Sequence, residues 1–574
     1  MASRLTREEF EDRGIRKFEW LVSKGANYAV IAELKASGHS AVLLERGCSA
    51  LLTLAGDTTQ QKAKLGAAGA VEALAFALKA QPAALGVLRA ASFALNVLVS
   101  DNVDNQLKLE SAGVMEALVA ALVAHQSAVG EIWFRLFALF ILVAENDNLR
   151  NQACAAGAVE AIVSAMQTHL AKANVQRLCC CLLGDLIRYS SANQVKAVSS
   201  AVRALIAAMD THPTSTDVQD HACYALAHLC FNEKNRVMAG AAGAVKTVIA
   251  ALRVHSSNAH LVIVACSALS RLAERNENNR VNAGLAGAMK AVVNAMMKHP
   301  TDVDVQLFAC RALLNLAVNV RWVKAARAGA VDALIAAMRA HESSTDVLVV
   351  ACNVLFTLTC TTQGYVRNGV AADGGALEAL ARAMQAHPSC TAVQLSACQT
   401  LANFTEFGHL LHAGAVGGVD AVVAALRSHS TGVVLEAACS ALSNMAKTHA
   451  NRVKANALGS IEAVVAAMRA QPARADVQSA ACFALYQLAF TKDDRVRAGT
   501  ACAVEALVTA MRLHPQSLQV QFHSCLVLRN LTVCSSDNAA KARAAGAVGA
   551  VNLALQNHTY PRLGAWAKNV LATL

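Results

Sequence analysis

Residues 235–255 read NRVMAGAAGAVKTVIAALRVH, and this stretch contains the pattern that decides the fold. After Gly243, apolar residues recur at the spacing of one helix face, at Val245, Val248, Ile249 and Leu252. Gly243 tolerates a positive φ, which favours a sharp turn ahead of that helix. Asn235 suits the N-cap of a short helix before the glycine. The stretch therefore predicts a short helix, a glycine hinge and a second, amphipathic helix.

A third helix is predicted further along each copy of this pattern. Its typical sequence is VQLFACRALLNLA at 305–317. Six of the seven prolines stand 13 residues after the glycine position, where proline ends the second helix because it cannot continue one. Twelve copies carry a leucine in the ACxAL segment of the third helix, and we expect these leucines to form the core between copies.

The glycine position, called the anchor below, recurs along the whole chain at intervals of 42 to 46 residues. The anchors are Gly25, Gly69, Gly113, Gly157, Ser200, Gly243, Gly287, Gly329, Gly375, Gly417, Gly459, Cys502 and Gly546. Such a period is the signature of a repeat array. We therefore predict an all-α solenoid of about 13 three-helix repeats, with one continuous array over 25–574 and an N-terminal lead helix or cap over 1–24.

Composition agrees with this class of protein. Hydrophobic residues make up 55% of the 574 residues and aromatic residues only 4%, so the apolar content is mostly Ala, Val and Leu, of which Ala and Leu are strong helix formers. The net charge of +11 permits an acidic partner without requiring nucleic acid. The N-terminus has no secretory signal pattern, and the longest apolar stretch is too short to cross a membrane. We expect a cytoplasmic protein in the reducing interior of the cell, with cytoskeletal or ciliary association as an option.

Most cysteines and histidines recur at fixed positions of the repeat, which indicates a structural role and not a catalytic or metal site. Ten of the 18 cysteines share one third-helix position and are expected in the core. Ten histidines lie 12 residues after an anchor, where they can interact with carbonyls at the end of the second helix. His221, Cys223, His228 and Cys230 are the one metal-like group, but their spacing does not make four ligands converge. We predict no enzyme, no cofactor and no metal site.

The short helix, glycine hinge and ALxNLA ending resemble the armadillo (ARM) repeat, as in the arrays of importin-α and β-catenin. The resemblance covers about residues 25–574. It implies a right-handed superhelix whose third helices line a concave groove for extended peptides or partner proteins. Importin-α has Trp and Asn at two groove positions, which lie 24 and 28 residues after the anchor in this chain. No Trp stands at the first position here, so a nuclear-transport adaptor ranks third among the functions.

Three zones are predicted along this groove: an apolar zone in the Gly69 to Gly157 repeats, a basic zone in the Ser200 to Gly287 repeats, and an interrupted Asn/Gln ladder beyond. The candidate partner-binding residues are Phe93, Val97, Phe134, Phe137, Ile141, Tyr224, His228, Arg271, Arg311, Asn315, Asn403, Asn444, Gln487 and Asn530. Two alternatives stay open. The asparagines could bridge neighbouring helices, and the apolar zone could be covered by the N-terminal helix or by a second copy of the chain.

The leading functional prediction is a non-catalytic scaffold or adaptor that binds a protein or extended peptide in the groove. Self-association through the third repeat is an additional option. The second-ranked function is a permanent structural subunit of a large cytoskeletal or ciliary assembly. The sequence indicates no specific nucleic-acid partner and no transmembrane segment.

Overall fold

The computed structural model describes residues 6–126, 130–144, 146–188, 198–317, 323–359, 375–406, 410–533 and 535–574. These residues form 36 helices and no strand, in agreement with the predicted armadillo-type α-solenoid. The chain divides into two compact units, Met1–Gly287 and Ala288–Leu574. The division into a lead segment and one continuous array stays a prediction.

Three classes of helix alternate along the chain. The N-terminal helix and the short first helices are Arg7–Ser23, Thr59–Ala67, Val103–Ser111, Asp147–Ala155, Glu233–Ala241, Glu277–Leu285, Leu410–Ala415, His449–Ala457, Lys492–Thr500 and Ser536–Ala545. The second helices are Asn27–Ala36, Ala70–Ala80, Val114–Ala124, Ala158–Thr168, Val198–Thr211, Ala244–Val254, Ala288–Lys298, Val323–Ala340, Gly375–Ala386, Gly418–Ser428, Ser460–Ala470, Ala503–Leu513 and Ala547–Asn557. The third helices are Ala41–Ala55, Leu85–Val99, Ile132–Val143, Ala173–Ile187, Thr216–Leu229, Ala259–Ala273, Val303–Leu316, Thr345–Thr359, Thr391–Glu406, Gly432–Met445, Ala475–Leu488, Leu518–Val533 and Pro561–Thr573.

Most anchors adopt the left-handed conformation that a hinge needs. Nine anchor glycines have positive φ, and so does Cys502 at 62°. Three anchors differ from the prediction. Ser200 lies within Val198–Thr211, Gly375 is the first residue of its helix, and Gly329 lies inside the 18-residue helix Val323–Ala340. The hinge predicted at Gly329 is wrong, because Ala, Lys and Arg around it favour a continuous helix strongly enough to include one glycine.

The core lies where third helices of successive repeats meet. Within each unit, every third helix packs against the next one in chain order. The predicted leucines and register cysteines are buried there, as Leu313 and Cys310 illustrate with no exposed surface. Burial raises the pKa of Cys310 to about 12, so this thiol stays protonated and behaves as a small apolar group. The structural interpretation of the register cysteines is confirmed.

Glutamine and histidine side chains form hydrogen bonds with backbone carbonyls near the ends of the second helices. The third-helix glutamines bond carbonyls of their own repeat, and the histidines bond a carbonyl of the preceding repeat. Gln521, on a third helix, donates from Nε2 to the carbonyls of Met511 and His514 in its own repeat, at 2.8 and 2.9 Å. His514 instead reaches the carbonyl of Pro472 in the preceding repeat, with Nε2 2.8 Å away. The same inter-repeat contact is made by His169, His212, His255, His341, His387, His429 and His558. The histidines therefore connect repeats, whereas they were expected to interact with the end of their own helix.

Asparagines in the first helices also connect repeats. The N-cap of Glu233–Ala241 is Asn232, so the N-cap predicted at Asn235 is three residues too late. In the next repeat the N-cap is Asn276. Asn279, at the later position, donates from Nδ2 to the carbonyls of Leu272 and Arg236, at 2.8 and 3.0 Å. A Cβ atom on Gly240 would lie only 1.6 Å from Oδ1 of Asn279. The glycine three residues before the anchor therefore makes room for the asparagine of the next repeat.

The contact between Gly240 and Asn279 gives a testable prediction. Gly240→Ala should lower the free energy of unfolding by about 1–3 kcal/mol, because the added methyl group overpacks the contact. Gly549→Ala is the control, since no heavy atom of the described part of the chain lies within 4 Å of a Cβ there. Relief of the glycine entropy cost should stabilise that variant by up to about 1 kcal/mol. Urea unfolding followed by circular dichroism measures both, and shifts in the same direction would contradict the inter-repeat contact.

Candidate functional site

The candidate residues lie on the partly exposed side of the third helices, called the third-helix surface below. Phe93 and Arg311 are exposed. The half-buried candidates are Val97, Phe134, Phe137, Tyr224, His228, Arg271, Asn315, Asn403, Asn444, Gln487 and Asn530. Ile141 is different, because only 9% of its surface is exposed and its helix packs against Asp147–Ala155 and Ala173–Ile187. It therefore offers a partner less surface than the other candidates, and its role in binding stays a prediction.

Five aromatic rings from two successive third helices form a group called the aromatic cluster. Its members are Phe93, Trp133, Phe134, Phe137 and Phe140. The rings of Trp133 and Phe137 stack at 4.7 Å between centroids, and Phe93 lies 5.8 Å from Phe137. Phe134 meets Trp133 edge-on at 5.2 Å. All five rings keep part of their surface exposed, even with the N-terminal helix in place, because Arg7–Ser23 packs against the first repeat.

A second feature of the first unit is a line of three aromatic rings with an arginine at each end, called the basic–aromatic row. It runs from Arg188 over the ring of Tyr224, to His228, to Phe231, and ends at Arg271. The Arg188 Cζ atom lies 6.0 Å from the Tyr224 centroid, and the Arg271 Cζ atom lies 3.9 Å from the Phe231 centroid. His228 lies 4.5 Å from Tyr224 and 5.9 Å from Phe231, centroid to centroid. The sequence identified Tyr224, His228 and Arg271, but not Arg188 or Phe231.

His228 is electrostatically the most perturbed residue of the row. Burial lowers its pKa from 6.5 to about 4, and the positive charges of Arg188 and Arg271 lower it further within that shift. Its Nδ1 atom is enclosed and has no hydrogen-bond partner among the residues that the structure describes. Because the ring is neutral at physiological pH, the positive charge of the row comes from its arginines.

The predicted Asn/Gln ladder in the second unit is partly used by the fold. Asn444 donates from Nδ2 to the Ala402 carbonyl at 3.0 Å and accepts from Lys447 Nζ at 2.8 Å. Asn530 accepts from Arg529 at 3.4 Å, and Asn315 and Asn403 also have partners within the structure. The alternative that an asparagine bridges neighbouring helices is therefore confirmed at Asn444, whose amide joins two successive third helices.

A second aromatic group, which the sequence reasoning missed, lies in the second unit. It joins Phe483, Tyr486, Phe522, His523 and Tyr560. His523 lies 5.2 Å from Phe483, and Tyr560 meets Phe522 edge-on at 5.9 Å. Phe522, Phe483 and Tyr486 lie 20, 24 and 27 residues after their anchors, as Trp133, Phe137 and Phe140 do. This shared register was the signal available in the sequence.

Comparison with known proteins identifies the family of this chain. A family model described as the LRRK2 ARM repeat matches residues 54–241 and 190–376, which together span more than half of the chain. The chain belongs to the armadillo-repeat family. A comparison with curated proteins finds no match.

Solved structures support the armadillo fold. One chain comes from work on a phosphorylation switch that controls the interaction between cadherin and beta-catenin; it matches with a TM-score of 0.63 and 16% identity, over 91% of this chain and 98% of that chain. An engineered protein matches with a TM-score of 0.59 and 22% identity, over 72% of this chain and 98% of that chain. At these identities the likeness concerns the fold alone.

The cysteines and histidines of this armadillo chain do not assemble a metal centre in the part of the chain that the structure describes, where no group of three or more His, Cys, Asp or Glu residues could hold an ion. Cys223 and Cys230 are buried, and burial raises the pKa of both thiols. His221 pairs with Asp220 instead, with Nδ1 3.2 Å from Oδ2. The four residues of the metal-like group therefore have separate environments.

The described helices give one weak candidate for a membrane span, a bent pair of helices. No single helix in the described ranges is long and apolar enough to cross a membrane. Glu233–Ala241 and Ala244–Val254 pass the length and composition test only as a pair, and they are bent by 75°.

The lowered pKa of His228 predicts a pH dependence of stability. Between about pH 6.5 and pH 4 the unfolded chain takes up a proton that the folded chain does not, so stability should fall as pH falls through this window. We expect the His228→Gln variant to lose this pH-dependent fall in stability. Replacement of the exposed His412 by Gln should leave it in place. Urea-unfolding midpoints at several pH values across the window measure it. Parallel pH profiles for the wild type and His228→Gln would contradict the assignment.

Proposed function

We propose that this armadillo protein is a non-catalytic interaction scaffold that binds a protein or extended peptide on its third-helix surface, the surface that corresponds to the groove of its family. The aromatic cluster is the observation that supports this most directly. Large aromatic residues dominate the binding energy of protein interfaces, and contiguous exposed apolar surface marks interaction sites. Phe93 alone leaves 38% of its surface exposed.

The arrangement of the cluster suits binding better than it suits stability. Stacked and edge-on contacts fix the rings of Trp133, Phe134 and Phe137 relative to one another, so little side-chain entropy would be lost when a partner docks. A core role would instead favour complete burial, as is found for Leu136 and Leu139 on the same helix. The cluster therefore resembles a preformed binding surface.

The polar repeat residues support a non-catalytic assignment. Histidines such as His514 and asparagines such as Asn279 are hydrogen-bonded to backbone carbonyls of a neighbouring repeat. Register cysteines such as Cys439 are buried with a raised pKa, which withholds the thiolate that nucleophilic catalysis requires. These free thiols also suit a reducing, cytoplasmic setting, which we include in the proposal.

The fold and one structural relative support the choice of a protein as the partner. The related chain from the cadherin and beta-catenin work concerns an interaction between two proteins, which favours a protein partner here. Self-association through the aromatic cluster and permanent incorporation into a large assembly are the competing outcomes. Size-exclusion chromatography of the purified chain tests self-association, since a scaffold should elute as a monomer and a self-associating chain as a dimer. Fractionation of a cell extract tests incorporation, since a permanent subunit should co-fractionate with its assembly.

Replacement of Phe137 by Asp tests the proposal. The carboxylate would enter the centre of the aromatic cluster, and we expect partner binding to weaken by roughly 2 kcal/mol or more, as at interface hot spots. Phe93→Asp, at a more exposed ring, should act in the same direction with less risk to folding. Affinity purification with crosslinking and mass spectrometry measures the loss, and circular dichroism verifies that the helices persist.

Val123→Asp is the matched control, because Val123 is exposed on the second helix of the same repeat. It should leave partner recovery unchanged. If folded Phe137→Asp and Phe93→Asp recover the same partners as the wild type, binding does not occur on the third-helix surface at the aromatic cluster.

A further inference from the structure

We propose that a cavity between the Gly459 and Cys502 repeats binds a free aliphatic α-amino acid such as leucine. The cavity has a volume of about 210 Å³ and is formed mainly by the second helices Ser460–Ala470 and Ala503–Leu513. Its lining residues are Met468, Arg469, Pro472, Gln478, Glu505, Ala506, Thr509 and Ala510. None of them is a candidate partner-binding residue of the third-helix surface, so this inference does not depend on the proposed function.

In several repeats the basic residue ten positions after the anchor bonds the hinge of the next repeat. Arg253 donates to the carbonyl of Ala286, and Lys79 and Arg427 make the same contact in their repeats. The guanidinium group of Arg253 crosses over Gly287, where a Cβ atom would lie only 2.9 Å from one of its nitrogens. A side chain at the anchor would therefore obstruct this contact.

Cys502 is the anchor that follows Arg469, and it places such a side chain at the hinge. It keeps the left-handed backbone of the glycine anchors, with a φ of 62°, so its Cβ atom stands where the arginine would have to cross. Arg469 is exposed and makes no hydrogen bond or ion pair with the residues that the structure describes. Cysteine in place of the usual glycine thus leaves one guanidinium group free at the wall of the cavity.

Glu505 supplies the opposite charge, and it also lacks the partner that its position has elsewhere. In three other repeats the acidic residue three positions after the anchor pairs with a basic residue of the next first helix, as Glu462 does with Arg497 at 2.6 and 3.0 Å. The corresponding base for Glu505 is Lys541, which pairs instead with Asp537 at 2.9 Å. Oε2 of Glu505 is enclosed and accepts no hydrogen bond from the described residues.

One free cation and one free anion at the wall of the same cavity favour a ligand that carries both charges. A carboxylate can accept two parallel hydrogen bonds from the guanidinium group of Arg469, and an ammonium group can donate to the carboxylate of Glu505. A phosphate would be repelled by Glu505, and a polyamine by Arg469. Met468, Ala506 and Ala510 add apolar surface to the lining, which suits an aliphatic side chain.

The size of the cavity limits the ligand to about one amino acid. Sites for drug-sized ligands have volumes of roughly 300–1,000 Å³, and this cavity is smaller. The end of a peptide does not fit the charges, because a C-terminal residue has no free ammonium group and an N-terminal residue has no free carboxylate. A bound amino acid would join the second helices of two neighbouring repeats, where Cys502 prevents the usual hinge contact.

Binding is measured on the full chain with L-leucine and with two analogues that each lack one charged group. Saturation-transfer NMR and isothermal titration calorimetry should show binding of L-leucine. The analogue 4-methylpentanoate has no ammonium group and 3-methylbutylamine has no carboxylate, so each should bind at least about tenfold more weakly because it loses one charge-assisted hydrogen-bonded contact.

Variants of the cavity assign the two charges. Arg469→Gln and Glu505→Gln should each weaken the binding of L-leucine by about tenfold or more. Arg427→Gln is the matched control, since that arginine bonds a hinge carbonyl and does not line the cavity. Cys502→Gly should also weaken binding, because it reopens the path of Arg469 to the hinge carbonyl although Cys502 itself does not line the cavity. Circular dichroism verifies that each variant keeps its helices.

Three results would overturn the inference: no binding of L-leucine at millimolar concentration, equal binding of the analogues that carry one charge, or unchanged affinity in both Arg469→Gln and Glu505→Gln. Inorganic phosphate is a further probe, because phosphate binding that requires Arg469 but not Glu505 would indicate a simple anion site instead. Phe137→Asp should leave the binding of L-leucine unchanged, since the aromatic cluster lies in other repeats. The two proposals can therefore fail independently.

Discussion

The backbone carbonyls at the ends of the helices are the constraint on which the rest of the structure depends. An armadillo repeat ends three helices within about forty residues, and each end leaves carbonyls that need partners. Gln521 satisfies those of its own second helix, His514 reaches back to the preceding repeat, and Asn279 does the same from a first helix. These contacts set the spacing of the repeats, and they explain why polar residues recur at fixed positions in a chain otherwise rich in Ala, Val and Leu.

Because of this constraint, the residues that hold each repeat together differ from those that are available for binding. Residues that recur at a fixed position in most copies, such as His514, Asn279 and Leu313, make inter-repeat hydrogen bonds or lie in the core. The third-helix surface, in contrast, changes from copy to copy. It carries an aromatic cluster and a basic–aromatic row in the first unit and another aromatic group in the second. Because the helices beneath are fixed by the recurring contacts, side chains such as Phe137 and Arg271 can vary without loss of the fold.

The sequence predicted the helices, the buried cysteines and the left-handed anchors, because each depends on local periodicity. It did not predict which repeat a polar side chain contacts, since register identifies the position of His514 or Asn279 but not the neighbour across the interface. The hinge at Gly329 failed because helix-forming neighbours outweighed one glycine. Arg188 and Phe231 were missed because the row depends on contacts between repeats. The burial of Ile141 was not predicted, because packing by other helices is not visible in the sequence of one helix.

Site-specific photocrosslinking in cells tests most directly whether function lies on the third-helix surface. A photoreactive phenylalanine analogue is placed at Phe93, Phe137, Tyr224 or Phe483 on third helices, and at Val123, Val254 or Leu513 on exposed parts of second helices. We expect discrete crosslinked partners from the third-helix positions and only background from the second-helix positions. Partners captured mainly from second-helix positions would contradict this expectation.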